Sequence, residues 1–386
     1  MLCSWPMTTG ANAPAFYLPL DDAGAGIVST TAARSIGGAT FTRATVAWTK
    51  LSTGLWASVA SGSPRSCYID RTTAATAYGG YFAELVATQL VTPDASIRDM
   101  TNGAWTAGAT MTVAKTGVGI DGVVNSCSRL TGGAVSATNT IFQTLTAAAT
   151  SRTYSVWLRR VTGTGTVNIT QDGGSSYTDV TSLLTTAHFV QVSLTASQLN
   201  AAFGIQVVTS TDEILADFNQ FEAGTKATSP MATAGAARNG DLLTFANTNF
   251  PLTAGTMYAQ VWAHSAPTTT AVIVGCSAGQ GTFFNFGAST TVNMFDGTNN
   301  LASNAGSSII TGVRGVCASY GAAGQSAMIT GAASVATGSF DGTLGTGGVA
   351  MGIGAYANAL SQFTGTIRGV RIWPQQLSDE QLSSMV

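Results

Sequence analysis

Apolar and polar residues alternate along most of this chain in short runs bounded by Gly, Thr, Ser and Asn. In TYSVWLRRV (Thr153–Val161) one face carries Tyr154, Val156, Leu158 and Arg160, and the other carries Ser155, Trp157 and Arg159. A period of two marks a half-buried strand. The runs HFVQVSLTA, FGIQVVTS and ILADFNQFEA follow, and Asp172-Gly173-Gly174 offers a turn upstream of them. A second series begins with GTMYAQVWAH (Gly255–His264) and continues through TAVIVGC, GTFFNFGA, TVNMFDG, RGVCASYG, QSAMITGA and GVAMGIGAYA to FTGTIRGVRIWPQQL. Only two segments read as helical. One is LSDEQLSSM, with Ser378 as N-cap and Glu380 and Gln381 at capping offsets. The other, weaker, is TASQLNAAF (Thr195–Phe203). Many short strands with regular turn signals predict an all-β fold of antiparallel sandwiches, a jelly roll among them.

The two β series divide the chain. Residues 1–92 hold isolated aromatics among Gly and Ala and no long periodic segment, which reads as a loop-rich region that borrows stability from its neighbours. Residues 93–225 form the first β block, 226–240 a linker, and 241–386 the second block. Pro230 and the small residues around it fit an extended connector. A chain of 386 residues is long for one domain, since domains cluster at roughly 100–150 residues. No repeat of fixed period appears.

Charge changes the picture. Asp, Glu, Lys and Arg make up 9% of the chain, against about 25% in ordinary soluble domains, and the formal net charge is −2. So neutral a chain has little field with which to steer nucleic acid, and its one Arg pair, Arg159-Arg160, has no basic patch around it. Burial of much of the surface against other chains is the expectation. The opening MLCSWPMTTGANAPAFYLPL lacks the basic segment and clean apolar run of a signal peptide. No membrane span is expected, because Thr, Asn, Gly and Pro interrupt even the uncharged stretch Leu242–Phe295. The five cysteines (Cys3, Cys67, Cys127, Cys276, Cys317) show no zinc spacing. They read as buried free thiols of a protein folded in a reducing cytoplasm, with a Cys276–Cys317 bridge as the alternative.

Several elements, in order, resemble the plan of phage head spike, head fibre and tail fibre virion proteins. They are ATFTRATVAW, Gly54, GSPRSCYIDR, Glu84 in YFAELVATQL, NGAWTAGATMT and RTYSVWLRR. The block closes with NQFEAGTKATSPMATAGAARNGDLL, which matches through Glu222, Ala223, Gly224, Thr228, Ser229, Pro230, Thr233, Arg238 and Asp241. The resemblance covers roughly residues 38–245. The run after Glu84 departs from it, lacking the family's Arg-Thr-Asn-Leu. The C-terminal FTGTIRGVRIWPQQLSDEQL resembles the last strand and helix of laminin-G/concanavalin-like sandwiches. These resemblances imply a carbohydrate-binding-module-like jelly roll followed by a lectin-like sandwich, in a homotrimeric virion appendage. The partners implied are identical subunits, other phage virion proteins of capsid or tail, and host surface glycans.

Candidate chemistry is sparse. His188 and His264 lie in strand-like runs, and no GxSxG elbow is present. Retaining glycosidases need two carboxylates about 5–5.5 Å apart, yet Asp241, Asp296, Asp341, Asp379 and Glu380 of the last block make no E-x-D-x-x-E array. No enzyme is expected. Acidic residues are densest at Asp212, Glu213, Asp217 and Glu222. By resemblance to carbohydrate-binding jelly rolls, Asp217 is the candidate ligand of a structural calcium ion, the one cofactor considered; solvated strand ends or a Glu222–Arg238 ion pair are the alternative. Trp105, Trp157, Tyr177 and Trp262 are the candidate glycan platforms, although a sandwich Trp is more often core. The polar stretch Asp296–Asn304 is a candidate lectin-face loop. Residues 1–92 are expected to anchor the chain on the virion, and Arg43, Arg65, Arg71, Glu84, Glu222 and Arg238 are the candidate anchoring or intersubunit residues. The expected role is a non-enzymatic virion component, a head decoration or head fibre-spike with weak glycan adhesion. The alternative is a tail-associated receptor-binding protein.

Overall fold

The computed structural model describes residues 16–18, 39–51, 53–68, 79–235, 237–246, 250–264, 267, 270–276, 282–288, 291–304, 312–345, 350–357 and 361–386. Arg71 and Cys3 lie outside them. The fold is all-β, as expected, and consists of two antiparallel sandwiches.

The first sandwich has two five-stranded sheets. One runs in the order Val190–Gln198, Thr150–Thr162, Glu213–Ala223, Cys127–Thr131 and Thr112–Gly117. The other runs Thr178–Asp179, Val167–Thr170, Ala202–Val207, Thr140–Thr144 and Thr106–Ala107. Successive strands cross repeatedly from one sheet to the other, the jelly-roll arrangement. The alternation read from TYSVWLRRV explains the core: Tyr154, Val156 and Leu158 are buried with Ile169, Phe203 and Ile205 of the opposite sheet. Phe203 stacks on Phe221 across the two sheets, with ring centroids 4.4 Å apart. Each such side chain contributes roughly 1.5–3 kcal/mol relative to exposure.

The second sandwich faces a seven-stranded sheet against an eight-stranded one. Phe245, Val274, Phe284, Met294 and Ile353 from the first pack on Met257, Val261, Ala318, Ile367 and Ile372 from the second in a single core. At the C-terminus the helix Asp379–Ser383 is closed by a capping box between Ser378 and Gln381, as the sequence predicts. Its Leu382 is buried against Cys317 and Trp373.

The N-terminal region departs from its loop-rich reading. Ala39–Thr42 forms an edge of the seven-stranded sheet, pairing with Leu242–Ala246. Gly79–Ala83 and Ser66–Tyr68 extend the eight-stranded sheet beyond Gly365–Trp373, on which Phe16–Leu18 also pairs. Between these pieces, the hairpin Ala47–Lys50/Trp56–Val59 lies on the jelly roll. There Trp56 meets Trp157 edge-on at 5.0 Å and Trp48 meets Phe218 at 4.8 Å. One segment therefore threads both sandwiches. Its strands are too short to show a period, and their partners are far away in sequence.

Two local expectations are corrected. TASQLNAAF is not helical. The strand Val190–Gln198 runs through its first half, paired along its length with Thr150–Thr162. It then turns at Asn200 (φ 50°) into Ala202–Val207. Cross-strand pairing outweighs a weak helical propensity here. Cys276 and Cys317 are both buried thiols not joined to each other, so the alternative bridge is not made, and Cys127 is likewise a buried thiol. Among the described residues, no helix is long and apolar enough to cross a membrane.

Candidate functional site

The seam between the sandwiches is built from strand ends. Arg43 follows Ala39–Thr42, Arg65 precedes Ser66–Tyr68, and Glu84 follows Gly79–Ala83. Arg238 ends the short strand Ala237–Arg238, which pairs with Ala87–Thr88, and Asp241 leads into Leu242–Ala246. These five charges converge away from water. Asp241 takes Arg43 Nη1 at 2.8 Å and Arg65 Nη2 on its other oxygen. Glu84 takes Arg65 Nη1 at 3.0 Å and Arg238 Nη1 at 2.6 Å. The Ser229 amide donates to Glu84 at 2.6 Å, and Arg65 Nη1 donates to the Ser229 hydroxyl. Further guanidinium bonds reach carbonyls, Arg43 to those of Thr45 and Ala60, Arg65 to that of Trp48, and Arg238 to that of Leu85, while the Nε donors of Arg65 and Arg238 meet no partner among the described residues. Burial alone would lower the proton affinity of Arg65, but Asp241 and Glu84 outweigh it and hold the guanidinium above its ordinary value.

A buried network of this kind contributes modest net stability, yet removing one member leaves an uncompensated charge. Its effect is to fix how three distant segments meet. Arg43, Arg65, Glu84 and Arg238 are therefore not surface contacts for another chain. Their side chains are at most 2% exposed, and their charges are met within this chain. The expected Glu222–Arg238 ion pair is also replaced. Arg238 bonds Glu84, while Glu222 accepts the Thr228 hydroxyl (2.6 Å), the Thr228 amide (3.1 Å) and the Gln220 side-chain amide (3.1 Å). Burial pushes the Glu222 carboxyl up to about 7, against the pull of Thr228, nearby Arg238 and Gln220.

Glu222 also lines a cleft of ≈ 290 Å³ where the end of the jelly roll faces the loop before Gly365–Trp373. Lys226, Gln362, Thr364 and Val86 line it as well. Lys226 is half-buried, and that burial lowers its proton affinity. Gln362 reaches back to the seam through its side-chain amide on the Asp241 carbonyl, 3.3 Å away. Gly240 lies close against this amide, and a Cβ there would collide with it.

Asp217 belongs to a second clasp rather than to a metal site. Its two oxygens accept Arg98 Nε at 2.7 Å and Nη2 at 2.9 Å, and Oδ2 also accepts the Ile120 amide at 2.9 Å. Arg98 further bonds Asp121 at 2.6 Å and the Ser126 hydroxyl at 2.9 Å. Both Asp217 oxygens are thus taken by the Arg98 guanidinium, an ion pair where a calcium ligand was the expectation. Gly119 makes room for the clasp, since a Cβ there would strike Asp217, Arg98 and Ser126 together. Among the described residues, no group of three or more His, Cys, Asp or Glu is placed to hold a metal ion. The other acids of that cluster go to separate partners, Asp212 to Arg160 (3.2 Å) and Glu213 to Arg129 (3.1 Å).

The glycan platforms divide. Trp105 and Trp157 are core residues, 6% and 1% exposed, which corrects their reading as open faces. Trp105 donates its indole N–H to the Ser96 carbonyl at 2.9 Å. Tyr177 is exposed and Trp262 half-buried, but they belong to different sandwiches. His264 packs on Phe82 with its Nε2 3.1 Å from the Thr366 hydroxyl. The stretch from Asp296 is a hairpin connection rather than an open loop. The Asp296 carboxylate accepts the amides of Thr298, Asn299 and Asp341, and Asn300–Asn304 is a strand.

Thr364 and Arg98 carried no signal in the sequence. Lys226 alone had a faint one, as one of three lysines in 386 residues. No family model and no curated protein matches the chain. Among solved structures, the mouse laminin alpha1 chain, domains LG4-5, is similar over 61% of this chain and 88% of that one, at 11% identity and a TM-score of 0.24. A likeness that slight carries no argument about function.

Proposed function

We propose that this chain is a non-enzymatic structural component of a phage virion, a head decoration or head fibre-spike protein acting as a homotrimer. One observation carries the reading. The spaced elements that resemble the virion-protein plan meet at one place in the fold: Arg43 of TFTRA, Arg65 of the Pro-Arg element, Glu84, and Ser229, Arg238 and Asp241 of the closing element form a single buried network. Such a plan is what an architectural requirement would leave in a sequence. The elements have no chemistry to perform; they lock an N-terminal segment across two sandwiches. A low charge of 9% suits a subunit packed among others. The non-catalytic part of the reading leans on the acids of the expected cluster, since Asp212, Glu213 and Asp217 are each tied to an arginine.

A second reading, a tail-associated protein that attaches to host surface glycans, is favoured by the solvent-facing cleft beside Lys226. Immunogold labelling of intact virions with antibody against residues 241–386 separates the two. Gold over the capsid is the expected result. Gold confined to the tail selects the second reading, and virions that take no gold defeat both.

A further inference from the structure

We propose that the cleft between the two sandwiches binds a carboxylate-bearing sugar residue, with Lys226 as its anion contact and Thr364 as a hydroxyl partner. Three features of the cleft converge on that chemistry. Lys226 is half-buried and has no ion-pair partner among the described residues, so its ammonium has lost part of its hydration without gaining a counter-charge. Glu222 lines the same cleft, but its oxygens are engaged by Thr228 and Gln220 and do not reach the lysine. Thr364 is 5% exposed, and its hydroxyl has no hydrogen-bond partner among the described residues. A buried hydroxyl left unmet is uncommon and costs free energy, so a ligand that supplies its partner gains by doing so.

The walls narrow the class further. Val86, 61% exposed, gives the cleft an apolar side suited to the C–H face of a sugar ring. A bare anion would meet the lysine but would leave that side and Thr364 unmatched. A neutral sugar would leave the ammonium unmatched. At ≈ 290 Å³ the cleft is at the small end of ligand pockets, which suits one ring with the remainder of a glycan outside. This inference is independent of where the chain sits in an assembly, so its failure leaves the virion reading standing.

The test is ligand-observed NMR on the purified full chain, with glucuronate, glucose and acetate as probes. Glucuronate is expected to bind with a Kd of roughly 1 mM, and glucose and acetate at least about tenfold more weakly. Lys226→Met is expected to weaken glucuronate about tenfold or more, and the near-isosteric Thr364→Val about fivefold, with both variants keeping the parent melting transition. Absence of glucuronate binding overturns the proposal. So does acetate or glucose binding as tightly as glucuronate, or a folded Lys226→Met protein that binds unchanged. If Lys226→Met fails to fold, Lys226→Gln takes its place under the same criteria.

Discussion

Arg43 and Asp241 lie 198 positions apart in the sequence and 2.8 Å apart in the fold, both enclosed from water. Asp241 also holds Arg65. Replacing it with Asn keeps the shape and removes the charge that two buried guanidiniums share. Breaking a buried pair from one side costs about 3–5 kcal/mol. Asp241→Asn is therefore expected to lower stability by that order in urea denaturation, and a variant within 1 kcal/mol of the parent, roughly the loss of one neutral hydrogen bond, would count against the network as a keystone.

The Arg98 clasp gives a second expectation. Asp217 meets four donors, two of them from Arg98. Asp217→Ala is expected to destabilise the jelly roll by about 3 kcal/mol, the low end for breaking a buried ion pair from one side, since Arg98 keeps Asp121. The melting temperature of the parent is expected to be the same in calcium and in chelator. A rise with calcium that is lost in Asp217→Ala would restore the metal reading.

The pH dependence follows from Glu222. Its folded-state value is raised from 4.5 to about 7, so the folded chain holds this proton more tightly than the unfolded chain does. The contribution to stability is present below about pH 4.5 and is lost as pH rises through about 7. The full swing is of the order of 3 kcal/mol. Glu222→Gln removes it. The difference between parent and variant in urea midpoint is expected to change between pH 4.5 and 7 and to be flat above about 8. Contributions from Asp99 and Asp121, whose carboxyls are lowered, are common to both proteins and cancel in the difference.

How much of this was legible in the sequence depends on the length of each element. Thr150–Thr162 and Gly255–Ala263 are long enough to show period two, and they read directly as strands. Gln198 and Phe203 bracket a turn that local propensity mistook for a helix, because pairing to Thr150–Thr162 decides it. The motif residues stood out as spaced elements. That spacing cannot say whether Arg65 faces another chain or an acid of its own chain such as Asp241. The pairing of Ser66–Tyr68 with Gly79–Ala83, and of that strand with Gly365–Trp373, goes with an Arg65 turned onto Asp241. The cleft that joins Thr364 to Lys226 was beyond reach for a simpler reason. A cleft made by two sandwiches has no local pattern.

The N-terminal segment supplies the last prediction. If residues 1–92 were a separable anchor, a chain beginning at 93 would fold into two intact sandwiches. The pairings say otherwise. Without Ala39–Thr42 and Gly79–Ala83, the strands Leu242–Ala246 and Gly365–Trp373 each lose a neighbour and gain an open edge. Tyr81 and Ala83 leave the core of the second sandwich, and Trp56 uncovers Trp157 on the first. Three of the five seam charges go with them, which leaves Arg238 and Asp241 without their partners. Residues 93–386 expressed alone are therefore expected to aggregate or to unfold without a cooperative transition. Adding residues 39–92 back as a separate peptide is expected to restore at most part of it, because the hairpin and both edge strands must dock at once. A cooperative melt for residues 93–386 close to that of the full chain would overturn the clasp and return the segment to the role of a detachable anchor.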